Sequence, residues 1–224
     1  MKISEAAISQ LITFVKILAC LLVARVTTSV VINNQHYFPP DFDSDFLSGR
    51  QHYFFGHYQY AFFSHIISGP LSLILGLALI NSSVRRRWPK AHRVIGRLQI
   101  ANVVLIVAPG GFVMALRADG GTPAVAGFAV LAVLTAVTAV LGFIAAAQRK
   151  FGAHQRWMFR CFLLLTSAVI LRLIAGVSIM AHMESKWIYP VSAWISWVVP
   201  VAVYEYLQRN QQRLTTNPAS TIQQ

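Results

Sequence analysis

The chain has 224 residues, 56 % of them hydrophobic and 12 % charged, with a formal net charge of +12. So little charge at a positive mean hydropathy excludes an ordinary soluble domain and points to a membrane protein. In a soluble chain the basic excess would suggest nucleic acid. Here most of it sits in loops beside apolar segments, where it reads as the positive-inside signal, and no nucleic-acid partner is expected.

The first apolar segment covers residues 6–31 and follows Lys2. Ile17-Leu18-Ala19-Cys20 resembles a lipoprotein cleavage box, but Lys16 interrupts the apolar run before it and apolar residues continue after it, so an uncleaved helix is expected. In residues 33–56, Asp41, Asp43 and Asp45 alternate with Phe42, Ser44 and Phe46 without the later Gly and Glu of a calcium loop; the reading is a solvated outer loop. Five more apolar segments follow over residues 60–82, 98–116, 123–147, 159–181 and 190–207, each near the roughly 20 residues that a spanning helix needs. The fourth is rich in Ala, Val and Gly, which let membrane helices approach closely. Cys20 and Cys161 lie in separate apolar segments and read as buried small hydrophobes.

The expected fold is all-α: one transmembrane domain over residues 1–207, a six-helix bundle with both termini cytoplasmic, then a disordered cytoplasmic tail over 208–224. Thirteen Lys and Arg residues fall inside in that topology against three outside (Arg50, Arg117 and Lys186), which fixes its direction and implies the inner, plasma membrane. The lipid bilayer is the first partner, and anionic phospholipid headgroups are the natural contacts of the inner loops.

The inner loop Ser83–Arg97 carries Arg85, Arg86, Arg87, Lys90, Arg93 and Arg97 with no acid. Gln148–Arg160 repeats its basic, aromatic, Ala-His pattern. Three motifs stand out: His65 to Pro70 as HxxxGP, His92 to Arg97 as HRxxGR, and His154 to Arg160 as HxRWMxR, followed by Leu171-Arg172-Leu173, Trp194, Trp197 and Glu205. In that order they resemble a family of bacterial predicted multi-pass membrane proteins of unknown function, DUF2306. The resemblance covers about Tyr53 to Glu205 and implies some six spans without naming a reaction. Pro200 stands where the family pattern leads one to expect an Asn, so any role of that Asn is not carried over.

Two readings of the function follow. In the first, His65 and His182 lie near the outer face and His92 and His154 near the inner one, the placement that bis-His ligation of haem b needs in a four-helix bundle. Arg93, Arg97 and Arg172 would meet the haem propionates, and electrons would pass between a quinone or another redox partner and an outer acceptor. In the second, the protein is a non-redox small transporter or accessory subunit. Arg85, Arg86, Arg87, Arg156 and Arg160 then contact anionic lipid or substrate. No metal is expected apart from haem iron, because the inner loops offer no carboxylate. No nucleophile motif appears, so whether the chain is an enzyme stays open. Glu205 is expected to pair with Arg160. Arg172, about 20 Å from the inner end of its helix, needs another partner: a carbonyl, a hydroxyl, a propionate or a substrate anion.

Overall fold

The computed structural model describes residues 5–43, 46–183 and 185–216, and among them all regular structure is helical. Six long helices are α1 (Glu5–Asn33), α2 (His57–Ile80), α3 (Pro89–Ala115), α4 (Thr122–Ala147), α5 (Phe151–Met180) and α6 (Ile188–Thr216). Five stretches are long and apolar enough to cross a membrane: Ile17–Tyr37 and the whole of α2, α3, α4 and α5. The Tyr, Trp, Ser and Pro residues of α6, together with Glu205, dilute its apolar character, and it is not among them. Large side chains cover the outside of the bundle, with Leu105 72 % and Ile179 75 % exposed. Such a surface is stable only against lipid tails.

Several boundaries differ from those read in the sequence. α3 begins at Pro89 and α5 at Phe151, each a turn or more before the apolar run starts. Proline suits the first helical position, where its missing N–H costs nothing. His92, Arg93, Arg97, His154, Arg156 and Arg160 therefore stand on helices rather than in loops. α6 continues through residues 208–216, which the sequence reading gave to a disordered tail; residues 217–224 lie outside the described part.

α2, α3, α4 and α5 form the central bundle, with α4 against α5 the most extensive pairing; α1 leans on α2 and α5, and α6 on α4 and α5. Small residues permit the close approach of α4 and α5. Ala139 is fully buried beside Val103 and Cys161, and a Cβ at Gly142 would stand 2.5 Å from the Met158 sulfur. Cys161 is buried as expected, whereas Cys20 is exposed on α1, the helix with the least protein around it.

The segment between α1 and α2 is a packed cap, which corrects the expectation of a solvated loop. Leu47, Phe54, Tyr58 and Phe62 are buried together, and Phe46 stacks on Phe62 with ring centroids 5.5 Å apart. Aromatic residues recur often enough there to bury one another, and that gain outweighs the solvation of the intervening polar groups. Asp41 and Asp43 stay exposed, and Asp45 lies outside the described residues. The cap is also tied to the bundle by a proline. Pro70, inside α2, has no N–H to give the Ile66 carbonyl one turn earlier, and Asn34 Nδ2 donates to that carbonyl instead at 2.9 Å.

Gly76 of α2 faces α5, and a Cβ there would stand 2.7 Å from the Phe162 ring. Gly76→Val is expected to cost about 1–3 kcal/mol by overpacking. Gly96→Ala, which meets nothing within 4 Å, serves as the control. Unfolding of the two purified variants in detergent checks the difference.

Candidate functional site

Within the half of the bundle that the cap covers lies a cavity of about 370 Å3, lined from α1 to α6 and from the cap. Its depth follows from helix positions. His65 is eight residues into α2, Ser196 eight into α6, Val107 eight before the end of α3 and Arg172 eight before the end of α5. At 1.5 Å per residue all four stand about 12 Å from that end of the bundle, in a single layer.

Arg172 brings the charge. Its Nη1 donates to the Ala168 carbonyl of its own helix at 3.0 Å, and no carboxylate lines the cavity among the described residues. Arg172 is exposed and is one of the residues that line the cavity, and both Tyr37 and His65 are within electrostatic range. A guanidinium offers five N–H donors, and the bond to Ala168 uses one of them.

His65 supplies an acceptor beside it. Its Nδ1 lies 2.8 Å from the Val107 carbonyl. A carbonyl only accepts, so Nδ1 carries the proton and the neutral ring presents Nε2 as a bare acceptor. Two features of α3 make this contact. Gly111 lies under the ring, where a Cβ would stand 3.0 Å from Cε1. Residues Val103–Val107 form a π-helical turn in which the Ala108 N–H reaches back to Val103. Pro109, which has no N–H for the ladder, follows directly, and a widened turn before it relieves the mismatch.

Thr27 and Ser196 also line the cavity, 3 % and 0 % exposed, and their hydroxyls have no hydrogen-bond partner. Other hydroxyls in the helices bond back to their own chain, as Ser68 does to the Ser64 carbonyl, Thr135 to Leu131 and Ser178 to Ile174.

Arg50 lines the cavity from the cap. It is 5 % exposed, donates to the Phe46 carbonyl at 2.6 Å and the Arg117 carbonyl at 3.0 Å, and pairs with the Asp119 carboxylate. Burial opposes its charge, but Asp119 and the neighbouring Tyr58 and Tyr53 more than offset this and hold its pKa above the ordinary arginine value.

Of the residues singled out by sequence, His65 and Arg172 meet in this cavity. His182 does not join them. It is exposed past the end of α5, with φ at 50°, so no second imidazole faces His65 across the cavity among the described residues. His92 and His154 are neighbours at the opposite end. His154 Nδ1 lies 2.8 Å from the Gly142 carbonyl, whereas His92 Nδ1 is buried without a partner. Arg85, Arg86, Arg87, Arg93 and Arg97 are all exposed around that end, and Arg156 is exposed on α5. Arg160 is instead held inside, donating to both Glu205 oxygens at 2.5 and 3.0 Å, the pairing expected from helix heights.

The sequence reading missed Thr27, Asn34, Arg50 and Ser196. Hydroxyls on apolar helices normally bond to their own backbone, so no pattern marks the two that do not. Pro70, Pro109 and Pro200 were the available signal, since each frees a carbonyl at cavity depth.

Residues 62–208 match the family described as predicted membrane protein (DUF2306), the greater part of the chain. The chain belongs to that family. No curated protein and no solved structure matches it. The DUF2306 region begins within α2, so it contains His65, Arg172, Ser196 and the Arg160–Glu205 pair, while Thr27, Asn34 and Arg50 precede it.

A double-mutant cycle on Arg160→Gln and Glu205→Gln tests the inner pair. A two-pronged contact with side chains 20 % and 31 % exposed is expected to give a coupling of about 0.5–3 kcal/mol in thermal unfolding of the purified protein.

Proposed function

We propose that this DUF2306 protein is a non-redox carrier or accessory subunit that binds an anionic amphiphile in the cavity around Arg172. The observation that carries the reading is a guanidinium at membrane depth with one backbone carbonyl as its hydrogen-bond partner. A cation at membrane depth without a counter-charge is unfavourable, and an anion at its open donors lowers that cost. The cavity falls within the roughly 300–1,000 Å3 of small-molecule sites, and its Leu73, Phe62 and Val107 walls suit an apolar body behind a polar head.

In this reading α6 is a sixth span beside the five helices that are apolar enough by themselves. An even count puts both termini on one side, and the exposed Arg85, Arg86, Arg87, Arg93 and Arg97 assign that side to the cytoplasm. These cations rest against anionic headgroups of the inner leaflet, and the cavity then opens towards the outer half of an inner, plasma membrane.

A second reading has its own observation. His154 donates through Nδ1 to a carbonyl and keeps Nε2 free, the second-shell arrangement that orients a metal-ligating imidazole, and His92 is its neighbour. Haem b between these two would support electron transfer, with a quinone as partner.

Two measurements separate the readings. Arg172→Gln is expected to weaken binding of an anionic amphiphile by about 10- to 150-fold, the equivalent of about 1.5–3 kcal/mol for a charged hydrogen bond, while leaving the fold intact. Equilibrium binding to the purified protein in neutral-lipid nanodiscs reads this directly. The absorption spectrum of protein expressed with ample haem is expected to lack a Soret band; a band that disappears in His92→Ala and His154→Ala would instead establish the cytochrome.

A further inference from the structure

Donors and acceptors around the cavity say which anion it takes. On the donor side stand the remaining N–H groups of Arg172 and the partnerless hydroxyls of Thr27 and Ser196. The acceptors are His65 Nε2 and the Ser196 carbonyl, which Pro200 leaves without a helical N–H one turn later. The site is thus rich in donors yet holds acceptors too. A carboxylate, with two oxygens and no donor, answers Arg172 but leaves His65 Nε2 unmet. A quinone carbonyl has no charge to set against the guanidinium. A phosphodiester at neutral pH has no donor either, and its second substituent needs space beyond a cavity of about 370 Å3.

We infer, resting on the anion reading above, that the ligand is the phosphate monoester of a single-chain lipid, held by Arg172, Thr27 and Ser196 through its unprotonated oxygens and by His65 through its P–OH. A phosphate monoester has a second pKa near 6, so at about that pH its monoanion is well populated and supplies two unprotonated terminal oxygens and one acidic P–OH donor on one centre. Arg172 takes two oxygens with its planar fork. The Nδ1–H bond to Val107 fixes the ring so that Nε2 accepts rather than donates. The other charged and titratable groups of the lining are Arg50 and Tyr37 from the cap and Tyr189 from α6; Arg50 is already committed to Asp119, so Arg172 is the cation that meets the head. The apolar chain leaves along α1, which packs mainly on α2 and α5 among the long helices and brings Val26 and Val30 to the cavity lining.

The test compares dodecyl phosphate, dodecanoate and dodecylphosphocholine binding to the full chain in neutral-lipid nanodiscs at pH 6. Dodecyl phosphate is expected to bind about tenfold more tightly than dodecanoate, with dodecylphosphocholine weakest. Thr27→Val and Ser196→Ala, which remove hydroxyls of nearly unchanged volume, are expected to narrow the gap between phosphate and carboxylate without lowering the melting temperature. Arg172→Gln is expected to weaken both by about 10- to 150-fold. Equal binding of phosphate and carboxylate, lost in Arg172→Gln, would overturn the phosphate assignment and leave the anion reading standing. Binding of either that is indifferent to Arg172→Gln would overturn both. A preference that survives in the Thr27→Val, Ser196→Ala double variant would remove the hydroxyls from the assignment and overturn it as stated.

Discussion

A cation in a hydrocarbon layer must be answered, by an acid, by backbone dipoles or by something the membrane itself supplies. The chain answers its cations in different ways. Arg160 reaches Glu205 with both prongs, so α5 and α6 are joined by an ion pair near the basic end of the bundle. Arg50 meets Asp119 and two main-chain carbonyls, fastening the cap to the turn after α3. Arg172 has a single carbonyl of its own helix and then open space. That contrast organises the molecule. Arg160 and Arg50 each meet a carboxylate, and Arg172 meets none among the described residues.

The helices around Arg172 are broken in a related manner. Pro70, Pro109 and Pro200 each remove an N–H from an apolar helix, and in lipid a carbonyl so released must be met by protein or by a ligand. Asn34 from the cap meets the Ile66 carbonyl opened by Pro70. The π-turn ahead of Pro109 brings the Val107 carbonyl to His65 and thereby sets the tautomer of that ring. Pro200 offers no N–H to the Ser196 carbonyl, and the Ser196 hydroxyl has no partner. Three interruptions at cavity depth, each exchanging ladder regularity for a polar group in the wall, make the cavity a consequence of the sequence rather than of loose packing.

How much of this was legible in the sequence depended on the range of the interaction. Apolar run length and the basic loops gave the helices, and α2 and α4 lie close to where hydropathy put them. Helix starts were read too late at Pro89 and Phe151, because amphipathic basic turns look polar to a measure of hydropathy. The Arg160–Glu205 pair followed from counting residues along two helices. The meeting of His65 with Arg172 did not follow, since it depends on how α2 and α5 rotate about their axes, and nothing in a single apolar helix fixes that. For the same reason the pairing of His65 with His182 across the outer half could be written from height alone, while the structure carries His182 out beyond the end of α5. The cap was misread because polar residues between the aromatics suggested solvation, whereas Leu47, Phe54, Tyr58 and Phe62 found one another.

The division between the DUF2306 region and what precedes it runs through the cavity. His65, Arg172 and Ser196 belong to the matched part, and they hold the charge, the acceptor and one hydroxyl. Thr27, Asn34 and Arg50 come from α1 and the cap. In the proposed site the matched part would supply the charge, the acceptor and one hydroxyl, and the preceding part the second hydroxyl and the cap. Enclosure matters energetically because an anion beside Arg172 would gain most where water is kept away. Since α1 packs mainly on α2 and α5 and has the least protein around it, it is the wall that can yield at least cost in packing. A lipid-borne ligand approaching within the bilayer would meet that wall first, without displacing the cap or breaking the Arg50–Asp119 pair.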